Sequence, residues 1–150
     1  MSKNRFELFS TSVAYLVKAL QFLKNRKMSE YDLKGSTCLC LCQIYENEQG
    51  LTALDLVQMG DIDKAQVSRC MSELMRKGLV YREECRGRKY KQKYLLTEQG
   101  RMAARDIFDT TTRIQEITEY GIAQEELATF YRVLDRMCEN LGDLKDRISQ

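Results

Sequence analysis

A chain of 150 residues, 43% hydrophobic and 31% charged, is long enough to bury a real core and carries no proline or low-complexity tract. The formal net charge of +2 excludes a uniformly basic surface, so any affinity for a polyanion has to come from a local patch. There is no histidine, no nucleophile elbow, no phosphate-binding glycine loop and no convincing acid pair, so an enzyme is not expected.

Near the start, Glu7, Ser10, Thr11, Ser12 and Lys18 interrupt any apolar run, and no stretch reaches the length of a membrane span. A cytoplasmic protein without a membrane partner is expected, with its six cysteines reduced. Phe6, Phe9, Val13, Leu16, Leu20 and Leu23 then recur at alternating spacings of three and four, which predicts a long amphipathic helix over residues 6–25. Residues 25–32 are polar and read as a connection. A second helix over 33–45 is rich in small apolar side chains, and a loop follows, ending at Gly50.

Thr52 with Asp55 three residues on forms a capping-box pattern and opens a third helix, which runs through Leu54, Leu56, Val57 and Met59 to Gly60. Asp61-Ile62 makes a tight turn into the segment 63–78. There Asp63 is an N-cap with Gln66 as its expected reciprocal partner. Val67, Cys70, Met71 and Leu74 form one apolar stripe; Ala65, Arg69, Ser72 and Arg76 form the opposite one, flanked by Ser68. Gly78 falls where a left-handed C-cap wants glycine. Two short helices joined by a glycine-containing turn are a helix-turn-helix signature.

Leu79-Val80-Tyr81-Arg82 reads as a strand, Gly87 permits a tight tip, and Gln92, Tyr94 and Leu96 alternate with Lys91, Lys93 and Leu95 on a returning strand. Residues 82–93 hold six basic and two acidic side chains. More broadly, residues 61–96 carry a net +5, against +1 before them and −4 after them. The charge thus collects beside the short polar-faced helix, as a localised nucleic-acid site requires.

A fifth helix begins at Thr97-Glu98-Gln99-Gly100, with Ala103, Ala104, Ile107, Phe108, Thr111, Ile114 and Ile117 on one stripe to Gly121. The last carries Leu127, Phe130, Leu134, Met137, Leu141, Leu144 and Ile148, a coiled-coil-like seam. Two long seams at opposite chain ends exceed what one small core absorbs, so a homodimer is expected; closure of both seams inside one monomer is the alternative.

Three runs together resemble the MarR family of bacterial transcription regulators: Asp63-Lys64-Ala65-Gln66-Val67-Ser68-Arg69, then Leu74-Met75-Arg76-Lys77-Gly78-Leu79-Val80, then Leu96-Thr97-Glu98-Gln99-Gly100. The resemblance covers nearly the whole chain. It implies a mainly α fold with a small β-wing, a single domain over 1–150. Residues 33–97 would form the winged helix-turn-helix lobe, and 1–25 and 98–150 the dimerisation helices. It also implies a homodimer on a pseudo-palindromic double-stranded operator, acting as a repressor, with release by a small ligand or by cysteine oxidation. A ligand pocket would lie between the dimer helices and the lobe, with Tyr15, Tyr31 and Phe108 as candidate lining. The family's wing usually carries Asp-x-Arg, whereas here the tip is Arg86-Gly87-Arg88-Lys89 without aspartate, which leaves the minor-groove arginine open between Arg86 and Arg88.

On this reading Ala65, Gln66, Ser68, Arg69 and Ser72 enter the major groove, with Arg69 as a base reader or a phosphate contact. Lys64 and Thr52 face phosphates from helix N-termini. Arg86, Arg88, Lys89, Lys91 and Lys93 grip the backbone from the wing. The rival is an adaptor or antirepressor that uses a winged helix without DNA, which leaves the cationic wing unexplained. Cys38, Cys40 and Cys42 cannot all ligate from one helical turn, so neither a metal nor another cofactor is expected, and small apolar filling is their ordinary role. Cys85, beside Arg86, is the candidate redox thiol, with Glu83 and Glu84 opposing its ionisation.

Overall fold

A computed structural model describes residues 4–84 and 91–149. Among them are six helices and a two-stranded antiparallel sheet: α1 (Arg5–Ser29), α2 (Gly35–Glu46), α3 (Ala53–Gly60), α4 (Lys64–Arg76), β1 (Val80–Arg82), β2 (Tyr94–Leu96), α5 (Glu98–Thr118) and α6 (Gln124–Ile148). The chain divides into two compact units, residues 1–112 and 113–150. The expected class, mainly α with a small β-wing, holds.

The first unit is built around α2, α3 and α4, which pack on one another. Its core centres on Leu41, Leu56, Val67, Met71 and Leu74, all essentially without solvent contact. The predicted stripe of α4 is the face that packs: Val67, Cys70, Met71 and Leu74 are buried. That face gives α4 its direction, because burying four such side chains is worth several kcal/mol, about 1.5 or more for each large one.

Local caps fix where the elements start and stop. The Thr52 hydroxyl accepts from the Asp55 N–H (3.2 Å), and the Asp55 carboxylate accepts from the Thr52 N–H (2.8 Å), which closes the expected box. At α4 only half of the expected box forms. Asp63 accepts from the Gln66 N–H (2.8 Å), but the Gln66 amide reaches away to Ser36. After α4 the chain turns through Gly78 at φ 70°, with Leu79 N–H bonded to the Leu74 carbonyl and Gly78 N–H to that of Met75, a Schellman closure.

One boundary and one pairing differ from the sequence expectation. Helix α1 runs on through residues 25–29, because nothing there breaks it, and turns only at Asp32, whose φ is 52°. The wing sheet also has an extra member: Leu51 bridges Tyr94, with Leu51 N–H donating to Tyr94 O (3.2 Å) and Tyr94 N–H to Leu51 O (2.8 Å). A single residue of extended chain carries no periodicity, so this pairing had no sequence signature. In the named sheet Val80 pairs with Leu96, Tyr81 with Leu95 and Arg82 with Tyr94.

The start of α5 is pressed against the turn between α4 and β1. A β-carbon on Gly100 would stand 1.8 Å from the Leu79 carbonyl oxygen, so only glycine fits there. Thr97 locks the same junction: its hydroxyl donates to Gly78 O (2.6 Å) and accepts from Gly100 N–H (3.0 Å). Further along α5, Asp106 binds Lys27 of α1 at 2.6 Å and accepts from the Tyr31 hydroxyl. These bonds hold the Asp106 carboxyl below the usual carboxylate range and push Tyr31 up.

In the second unit the Tyr131 hydroxyl donates to Glu119 (2.7 Å) and Gln115 donates to Tyr131 (2.6 Å) across the turn between α5 and α6. Glu126 caps the start of α6 by accepting from Ala123 N–H (3.1 Å). Beyond Leu127, the α6 seam residues Phe130, Met137, Leu141, Leu144 and Ile148 are exposed. On α1 the predicted stripe is exposed too, with Phe6 at 72%, and only Met28 is buried.

Candidate nucleic-acid interface

Helix α4 offers one face to the core and the other to solvent. Lys64, Ala65, Ser68, Arg69, Ser72 and Arg76 are all exposed, and Gln66 is half-buried at the edge of α2. The small residues among them let a second surface approach closely, and Arg69 is exposed on the same face, without a hydrogen-bond or ion-pair partner among the described residues. This is the division expected from the two stripes.

The side chains expected at phosphates differ in their commitments. Lys64 is exposed at the start of α4, beside the Asp63 cap. Thr52 is half-buried, and its hydroxyl proton is already given to Asp55 (2.7 Å), so what Thr52 can present to an anion is limited by its own cap. Those Thr52 bonds, with the Lys93 charge adding to them, hold the Asp55 carboxyl below its ordinary value. Lys91 is exposed and Lys93 half-buried at the foot of the wing. Arg86, Arg88, Lys89 and Cys85 lie outside the described residues.

Two participants lacked a sequence signal. Arg82 on β1 donates to the Tyr94 hydroxyl (2.8 Å) and lies 5.2 Å from the centre of that ring, which stiffens the base of the wing. Its pairing depends on strand register, which alternation alone did not supply. Ser36, in the first turn of α2, accepts from the Gln66 amide at 2.5 Å. Nothing in the Lys34-Gly35-Ser36 run announces a contact thirty residues on.

Three thiols, Cys38, Cys40 and Cys42, lie on α2, and a fourth, Cys70, on α4. Cys38, Cys40 and Cys70 are buried, and Cys42 is half-buried. Burial pushes the Cys40 thiol up to about 12, which keeps it protonated and unreactive. No group of three or more potential metal ligands occurs among the described residues. Also among them, no helix is long and apolar enough to cross a membrane.

Away from α4, a cleft of about 590 Å³ lies between the end of α2 and the start of α5, lined by Tyr45, Glu46, Glu48, Glu98, Arg101, Met102 and Arg105. Tyr15, Tyr31 and Phe108 are not in its lining. Tyr31 is engaged with Asp106, Phe108 packs on Tyr45 at 5.8 Å between ring centres, and Tyr15 is exposed.

Comparison with known proteins places this geometry. Residues 31–89 match the MarR family. An uncharacterized HTH-type transcriptional regulator of Bacillus subtilis, YybA, is 24% identical over 129 residues, covering 86% of this chain and 85% of that one. Among solved structures, a putative MarR-family regulator from Listeria monocytogenes complexed with 26mer DNA has a TM-score of 0.74 at 23% identity, over 89% of this chain and 88% of that one. Staphylococcus aureus MarR in complex with salicylate and kanamycin has a TM-score of 0.78 at 16% identity, over 91% and 92%. These likenesses establish the winged-helix fold.

Proposed function

We propose that the chain is a cytoplasmic transcriptional regulator of the MarR family, which residues 31–89 match. It binds a pseudo-palindromic operator in double-stranded DNA as a homodimer and represses. The observation that carries this reading is the exposed front of α4, where Ala65, Ser68, Arg69 and Ser72 project from a helix whose other face is buried. The Listeria relative solved with DNA supports the same assignment.

In this reading α4 lies in the major groove. Arg69 reads a base, since its guanidinium forms paired hydrogen bonds to guanine. Lys64, Lys91 and Lys93, with Arg86, Arg88 and Lys89, hold phosphates and set register without carrying sequence information, while Thr52, with both its donors given to Asp55, caps α3 instead. The homodimer is supported by the open apolar stripes on α1 and α6. Release by a small ligand or by oxidation of Cys85 is the regulatory part of the proposal, and the Staphylococcus relative solved with salicylate and kanamycin favours the ligand.

The test is a binding titration of the protein against its own upstream DNA and against a scrambled duplex, over a salt series. Arg69→Ala is expected to lose about 1–3 kcal/mol of discrimination between the two duplexes. Lys91→Ala is expected to weaken both alike and to lower the salt slope by about one. Operator preference surviving Arg69→Ala at moderate salt overturns the groove assignment. Repeating the titration with salicylate, and separately with peroxide, tests the release.

A further inference from the structure

Gln66 is the third residue of α4, on the margin between its buried and exposed faces. A free glutamine there would swing about three side-chain torsions. Instead its amide nitrogen donates to the Ser36 hydroxyl oxygen at 2.5 Å. The first turn of α2 that carries Ser36 is itself pinned to α4. Thr37, the next residue, is buried and donates to Glu73 (3.0 Å) and toward the Cys70 sulfur (3.6 Å). Just before α2, Asp32 holds Lys77 through its carbonyl (2.7 Å) and its carboxylate (2.9 Å). The hydroxyl that receives Gln66 is thus a fixed post on a rigid neighbour.

We propose that Ser36 is a positioning residue for base readout: it engages one N–H of Gln66 and so presents the rest of the amide, one N–H and the carbonyl oxygen, as an oriented donor–acceptor edge. In the major groove that edge matches adenine, whose N7 accepts and whose N6 amino group donates. The proposal rests on the reading of α4 as the groove helix. Its distinct content is that a residue on another helix sets the choice of base.

The experiment selects duplexes from a library randomised across its central positions, using the full chain as wild type, Gln66→Ala, Ser36→Ala and Ser36→Thr. The wild type is expected to enrich a symmetric site with adenine at one position of each half. Gln66→Ala flattens that position. Ser36→Ala flattens the same position by about tenfold in base discrimination, the scale of one bidentate pair, and leaves the others sharp. Ser36→Thr, which keeps the hydroxyl, restores it. Thermal melting of each variant shows that Ser36→Ala stays folded, as its half-exposed place at the start of α2 leads one to expect.

Ser36→Ala leaving the Gln66-dependent position sharp overturns the positioning role alone and spares the groove assignment. Guanine in place of adenine overturns the amide orientation. Uniform loss of binding to all duplexes in Ser36→Ala makes the residue merely structural and overturns the proposal. A wild type that enriches no sequence sinks both this inference and the proposed function.

Discussion

Gly100 shows how one atom constrains this chain. An alanine β-carbon would overlap the Leu79 carbonyl oxygen, 1.8 Å away, and backbone cannot step aside as a flexible side chain does. Gly100→Ala is expected to destabilise by about 3 kcal/mol or more, the upper end for overpacking, measured as a lowered urea midpoint. A midpoint unchanged by the substitution refutes the close packing of α5 on the α4–β1 turn. The glycine was visible in the sequence within the Leu96–Gly100 run, but its reason was not, because the clash is with a residue twenty-one positions earlier. Thr52 gives the converse case: its box with Asp55 is local, so spacing alone located it.

Among elements, α4 was the most legible. Its stripe, cap and C-terminal glycine are all short-range features, and all three recur in the structure. The wing was less so. Its register and the Leu51 bridge join segments far apart in sequence. The outer helices are the opposite of α4: their periodicity was clear, yet the faces it marks stay exposed, as at Leu141 and Ile148. The proposed homodimer makes a prediction here. Leu141→Asp places a charge where the seam would meet its partner, and should convert a dimer to a folded monomer by sedimentation with helical circular dichroism retained. An unchanged mass would remove α6 from the interface.

At the scale of the whole molecule, charge is distributed by job. The basic excess lies in residues 61–96, and several carboxylates elsewhere serve as ties. Hydrogen bonds from Lys77, Thr52 and Lys27 hold Asp32, Asp55 and Asp106 respectively below their ordinary values. Each therefore binds a proton less readily folded than unfolded. Their contribution to stability is complete above the ordinary carboxylate range and is lost as pH falls from about 4 downward through the folded values. The melting temperature should accordingly decline in that window, and Asp32→Asn should flatten part of the decline. An identical pH profile in that variant would exclude the Lys77 tie as a contributor.

What the sequence determined by itself was everything carried by short-range pattern: the winged helix-turn-helix order, the buried and exposed faces of α4, the caps, and the concentration of positive charge beside them. Periods of two and 3.6 residues and three-residue cap spacings are properties of a few neighbouring positions, so no coordinates are needed to see them. Tertiary structure alone decided which distant groups meet: Ser36 with Gln66, Arg82 with Tyr94, Lys27 and Tyr31 with Asp106, Gly100 with Leu79. The physical reason is that hydrogen bonds and steric exclusion act over a few ångströms of space. The separations along the chain that they bridge, up to seventy-nine residues, leave no trace in local order.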